Sequence, residues 1–361
     1  MRKVIHFKGL NGIRAIAAVV VMFTHILGDL GQFGLKKLPS SLNIASLGVT
    51  IFFTLSGFLI TYLLLKEKAA NEKNQINISN FYIRRILRIW PLYFFCVFLC
   101  LLTYWYFSID FDSKMLFFYF FLLANVPLII EQTLPFIGHL WSVAVEEQFY
   151  LFWPWFSKID TKKLLFYTIL LTFSLILLKD ISYVLSSKFA LKLPLITITT
   201  TRFYCMLIGC IAAILYIQKS IWIVRLTNKY VAIGAWLILF LAIMNKFQIS
   251  SALIDHEIMS IVTVIVILTQ ITEKNKIVNL DNRLLDFFGK ISYGIYIYHP
   301  ILIFLTIQFL GKFQQDSIIN YVWVFILIFG LTILLSYLSF YFFENKFIRM
   351  KDRFSSIKSS M

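Results

Sequence analysis

Apolar runs recur from residue 13 to residue 343 of this 361-residue chain, and no polar stretch between them is long enough to bury a core of its own. Crossing about 30 Å of hydrocarbon takes about 20 residues of helix. Ten runs answer to that need: 13–30, 45–65, 89–107, 140–157, 163–179, 199–217, 230–245, 256–272, 291–311 and 318–343. The chain therefore reads as an all-α integral membrane protein, a single membrane domain over 1–361. Only 14% of its residues are charged, against about 25% in a soluble domain. The first run follows Met1-Arg-Lys as a signal peptide would, but Arg14 interrupts its start and no small-residue cleavage site follows, so it is expected to be retained. Cys96, Cys100, Cys205 and Cys210 all fall inside apolar runs without metal-ligand spacing, which makes them packing residues. No metal site is expected.

The charge distribution orients the spans. The formal net charge is +16, which in a soluble protein would suggest nucleic acid, but the basic residues lie between apolar runs, where lipid headgroups and topology account for them. With the N-terminus inside and ten alternating spans, and with Lys163 and Lys179 at the ends of the fifth run counted with the adjoining loops, the inner loops hold 24 of the 34 Lys and Arg and the outer loops hold 8. Both termini are then cytosolic, in a multi-pass protein of the plasma membrane. An eleventh apolar stretch, 115–130, would invert every later loop if it crossed. It is expected to be re-entrant or to lie at the outer interface, broken at Asn125 and Pro127.

Ionisable groups inside spans are expensive and mark functional candidates. Arg14 and His25 are eleven residues apart, about 20° from sharing one line along a helix and about 16 Å along its axis. Arg84, Arg85 and Arg88 crowd the inner mouth of the third span. Positive-inside anchoring explains that cluster as well as a phosphate site does, although guanidinium groups suit phosphate oxygens well. Glu146 and Glu147 lie in an apolar helix and diverge by about 100°, so each needs its own partner. Arg202 sits near the outer face, as an anion site or a snorkelling anchor. His299 precedes Pro300, where a helix break would free backbone groups for it to bond. P-loop, dinucleotide-binding, HExxH, GxSxG and selectivity-filter patterns are missing.

These residues resemble the acyltransferase 3 family of membrane O-acyltransferases. The likeness runs through Gly9-Leu-Asn-Gly-Ile-Arg-Ala with His25, Gly48-Val-Thr-Ile-Phe-Phe-Thr-Leu-Ser-Gly-Phe-Leu-Ile, the arginine cluster, and the segment from Trp141 to Pro154. It continues through Gly289 to Pro300 and Phe343-Glu-Asn-Lys-Phe. The resemblance implies acetyl-CoA as co-substrate, with no permanently bound cofactor, and a glycan or lipid-linked sugar as acceptor at the outer side. It implies that Arg14 and His25 belong to the active centre, that Arg85 and Arg88 are the cytosolic arginine pair, and that Glu146 and Glu147 occupy the carboxylate positions. Thr50 stands where many relatives have an acidic residue, which removes one charge partner. The ending after the tenth span suggests a stand-alone form without a fused esterase-like domain.

The expected mechanism follows from both readings. The phosphates of acyl-CoA bind Arg84, Arg85 and Arg88, its thioester threads inward, and His25 acts as general base on the acceptor hydroxyl or, as the second alternative, as the acyl carrier itself. Glu147, ahead of Glu146, orients the imidazole. Trp141, Ser142, Arg202, Tyr293 and His299 line or support the acceptor side. The rival is a multi-span transporter or flippase of a polysaccharide precursor, since buried Arg, His and Glu also suit a carrier. Acetyl-CoA binding in detergent separates the two.

Overall fold

The computed structural model describes residues 4–5, 7–36, 44–72, 74–244, 254–355 and 358–359. The Met1-Arg-Lys flank and residue 245, the end of the seventh expected span, lie outside the described residues. Among those described, eight helical segments are long and apolar enough to cross a membrane: Leu10–Phe33, Ile44–Ala70, Ile78–Tyr106, Thr161–Phe189, Lys192–Ile217, Asp255–Thr272, Arg283–Leu310 and Ile318–Phe354. The protein is a multi-pass membrane protein. Two further expected spans form shorter helices, Trp141–Phe156 of 16 residues and Lys229–Ile243 of 15, or about 22 to 24 Å at 1.5 Å per residue.

In chain order the helices are α1 (Leu10–Asp29), α2 (Ile44–Ala70), α3 (Ile78–Tyr106), α4 (Leu116–Phe120), α5 (Asn125–Ile129), α6 (Trp141–Phe156) and α7 (Thr161–Phe189). There follow α8 (Lys192–Thr201), α9 (Phe203–Ile217), α10 (Ile221–Leu226), α11 (Lys229–Ile243), α12 (Asp255–Thr272) and α13 (Arg283–Leu310). Last come α14 (Ile318–Leu338), a π-turn Ser339–Glu344 and α15 (Asn345–Lys351). A two-residue parallel pairing joins Val4–Ile5 to Lys358–Ser359, so both ends of the chain meet at one end of the bundle.

Several helices begin well before their apolar runs. Asn77 caps α3 by accepting from the Asn80 N–H (2.9 Å), and Asn282 caps α13 by accepting from Leu285 N–H (2.9 Å). The helices thus start about three turns ahead of the hydrocarbon-length run in α3 and about two in α13, and carry the arginines of α3 and Lys290 of α13 on ordered helix. The break expected at Pro300 does not occur, because α13 runs through it to Leu310.

The stretch 115–130 contains only the five-residue helices α4 and α5, each too short to cross. Side chains of the neighbouring helices tie it down. The Gln148 amide of α6 donates to Asn125 Oδ1 (2.7 Å) and Leu122 O (3.2 Å), and the Tyr93 hydroxyl of α3 donates to Tyr119 O (2.9 Å). Protein groups thus satisfy backbone that lipid could not.

At the centre, α2 and α9 touch backbone to backbone. A Cβ placed on Gly57 would lie 2.0 Å from Met206 O, and one on Gly209 would lie 2.0 Å from Thr54 O, the small-residue contact that lets membrane helices approach. Gly289 of α13 meets α1 in the same manner, 2.2 Å from Asn11 O, three residues from Arg14. Outward, α7 and α14 present Phe166, Phe173 and Trp323 to lipid.

Candidate active site

Helices α1, α2, α3, α6 and α13 do not close on one another. They leave a cavity whose walls include Arg14, Arg85, Arg88, Glu146, Tyr150 and Tyr293. Three guanidinium groups in one buried space repel each other, and Glu146 supplies the compensating charge for Arg14. Glu146 is itself fixed, because the Tyr150 hydroxyl donates to its Oε2 (2.9 Å) and is bonded in turn to the Ser56 hydroxyl. Arg85 lies over the rings of Phe81 (5.6 Å) and Tyr150 (5.5 Å), and its Nε is buried without a hydrogen-bond partner. Tyr293 donates to Ile89 O (2.9 Å), which braces α13 against α3. Such a space, rich in forked donors and short of carboxylates, is suited to an anion.

The far wall of the cavity is Ser142 and Tyr296, whose hydroxyls are 2.7 Å apart. The Tyr296 ring stands edge-on to His299, with centroids 5.9 Å apart. His299, fully buried, lies 2.7 Å from His25 through Nε2 and Nδ1, and its own Nδ1 is 3.0 Å from Ile295 O. A carbonyl only accepts, so His299 carries its proton on Nδ1 and accepts at Nε2. His25 then donates from Nδ1 and keeps the lone pair of Nε2. The pair is thereby held in the tautomer that leaves one free basic nitrogen on the half-buried ring of His25.

This arrangement corrects the expected one. No hydrogen bond joins either glutamate to His25. Glu146 faces the cavity, whereas Glu147, expected to be the orienting carboxylate, accepts from Trp90 Nε1 (2.8 Å) and lies outside the cavity wall. Arg84 is also outside: it is paired with Glu67 (2.7 Å) and donates to Phe354 O (2.8 Å). Arg202 sits against the face of Trp141 (5.6 Å) and donates to Thr199 O (2.8 Å), Ser46 O (3.2 Å) and Thr50 Oγ1 (3.3 Å). The cavity thus brings together Arg14, Arg85, Arg88, Glu146, Ser142 and Tyr293. His25 and His299 stand one ring beyond it, and Arg84, Glu147, Trp141 and Arg202 are apart.

Three residues escaped the sequence. His139 packs against His299 and Tyr296, with ring centroids 5.4 Å from each, and both its ring nitrogens are buried without partners. It lies two residues ahead of the segment from Trp141 to Pro154. Lys179 and Glu257 form a buried ion pair between α7 and α12, although Lys179 reads as the outer end of a span. Among the described residues, no cluster of three His, Cys, Asp or Glu side chains could hold a metal ion.

A family profile described as an acyltransferase domain, that of acyltransferase 3, matches residues 7–341. The chain belongs to the acyltransferase 3 family. It is 28% identical to the peptidoglycan O-acetyltransferase OatA of Listeria monocytogenes, over 93% of this chain and 55% of that protein. A putative O-acetyltransferase of Staphylococcus aureus strain COL is 27% identical over 96% of this chain and 58% of its own length. The O-acetyltransferase OatA of S. aureus strain NCTC 8325 is 26% identical, over 94% and 57% respectively. The chain therefore spans little more than half the length of these relatives. No solved structure matches it.

Proposed function

We propose that this membrane protein is an O-acyltransferase that moves an acetyl group from acyl-CoA on the cytosolic side to a hydroxyl of a cell-surface or lipid-linked glycan on the outer side, in the plasma membrane. One observation carries the reading: an arginine-lined cavity ends at Ser142 and Tyr296, directly against the His25–His299 pair. The family and the relatives named as O-acetyltransferases agree with it.

In this reading the donor's phosphates bind Arg85 and Arg88, and its acyl thioester points along the cavity past Arg14 toward Tyr296. His25 Nε2 removes the acceptor hydroxyl proton as that oxygen bonds to the thioester carbonyl carbon. The C–S bond then breaks, the sulfur leaves as thiolate, and the His25 imidazolium returns the proton to it. The products are an ester and free CoA. His299 keeps His25 in the required tautomer, and Glu146 offsets the charge of Arg14 at the cavity wall.

The test is mass spectrometry of envelope glycans from cells with and without the gene, alongside acetyl-CoA binding to the purified protein. The reading predicts binding and a gene-dependent gain of one acetyl mass per modified sugar. Binding without any acetylated product, or no binding at all, would contradict it.

A further inference from the structure

A second chamber adjoins the arginine cavity, sharing Arg14, Arg88, Lys290 and Tyr293 with it and adding Glu344, Lys351 and Asp352. Lys351 is the unusual member. Its residue is 8% exposed, and its ammonium makes no hydrogen bond and no ion pair with any described residue. An ammonium that lines a chamber without a hydrogen-bond partner is stabilised when an anion completes the site. Lys290 is bonded to Asp286 (2.7 Å), and Arg14, Arg85, Arg88 and Lys351 share the two chambers with the carboxylates of Glu146, Glu344 and Asp352. Taken together, the chambers hold more cations than carboxylates.

The position of Lys351 is built. Arg84, held by Glu67, donates to Phe354 O (2.8 Å), and Ser355 Oγ donates to Lys351 O (3.3 Å), so the turn after α15 is clamped to α3. The arginine that stands outside the cavity thus fixes the chain that carries a cation into it.

From this geometry we infer that Lys351 and Arg88 form a phosphate subsite, and that it takes the 3′-phosphate on the ribose of acyl-CoA. The inference rests on the donor reading above. Arg85 lies in the inner cavity, beside the route of the thioester arm, and suits the pyrophosphate. Lys351 lines only the second chamber, whose wall does not include Tyr296, and suits the phosphate most remote from the sulfur.

The full chain in detergent micelles is titrated with acetyl-CoA and with acetyl-3′-dephospho-CoA, as wild type, Lys351→Gln and Lys351→Arg. The wild type should prefer acetyl-CoA by about tenfold or more, the worth of one charged contact. Lys351→Gln should lose that preference by weakening acetyl-CoA alone, and Lys351→Arg should retain it. Equal wild-type affinity for the two ligands overturns the assignment without any variant, as does a Lys351→Gln that weakens both alike. Wild-type protein that binds neither ligand overturns the donor reading itself. A lipid phosphate is the other source of the same chemistry. If added phosphatidylglycerol displaces acetyl-CoA from the wild type and not from Lys351→Gln, the subsite belongs to lipid and the assignment fails.

Discussion

The cavity bounded by Arg14, Arg85 and Arg88 and the cluster around Lys179 and Glu257 both bury charge among apolar helices, but they balance it differently. Lys179 is wholly buried, bonded to Glu257 across α7 and α12, with Asp180 3.9 Å away and the Tyr204 ring beneath it (5.3 Å). Nearby, Arg202 spends its donors on two carbonyls and a hydroxyl. Cations there meet oxygen atoms of the protein. In the cavity, cations outnumber carboxylates and line open space. Buried charge alone does not identify a ligand site; buried charge left uncompensated around a void does.

The contrast breaks first if the Lys179 cluster is not structural. Lys179→Met leaves Glu257 buried without its cation, and stability should fall by about 3–5 kcal/mol. Lys179→Met combined with Glu257→Leu should recover most of that loss. Thermal unfolding in detergent, read together with donor affinity, checks this: melting should move and acetyl-CoA affinity per folded molecule should not.

The cavity should behave the opposite way. Arg85→Ala or Arg88→Ala should weaken acetyl-CoA binding by about 1–3 kcal/mol per lost charged contact while melting changes little, and Lys should rescue only in part because it lacks the guanidinium fork. Calorimetric titration distinguishes this from simple topological anchoring, which predicts unchanged affinity.

The two glutamates sharpen the comparison at single-residue scale. Glu147→Gln should cost about 1 kcal/mol of stability through its bond to Trp90 and leave donor binding intact. Glu146→Gln should instead disturb turnover and donor binding, since it removes the anion facing Arg14. The smallest effect belongs to Arg84→Ala, which should weaken donor binding less than the loss of Arg85 or Arg88, because Arg84 acts only through the clamp on Phe354.

What the sequence made legible was charge out of place: Arg14, Arg85, Arg88 and Glu146 stand out because hydrocarbon-length runs should not contain them. What it left hidden depended on rotation and on distant pairing. Glu146 and Glu147 diverge by about 100° on any helix, but only packing against α3 decides which one finds Trp90. His25 and His299 are 274 positions apart, so the tautomer they fix has no local signature. Lys179 was obscure for another reason: apolar runs mark hydrocarbon rather than helix ends, and α7 continues from Thr161 to Phe189 past the run that seemed to stop at Lys179. The same cause made α3 and α13 longer than their runs, through the caps at Asn77 and Asn282.

The central claim is that the cavity delivers an acyl group to His25. Purified protein in proteoliposomes, supplied with isotopically labelled acetyl-CoA on one face and a glycan acceptor on the other, tests it as wild type and as His25→Ala. Removal of a general base costs about 10²–10⁴-fold in rate. The account predicts that His25→Ala binds acetyl-CoA as the wild type does and transfers label slower by that factor. Undiminished transfer by His25→Ala, or a wild type that binds no acetyl-CoA, would contradict it.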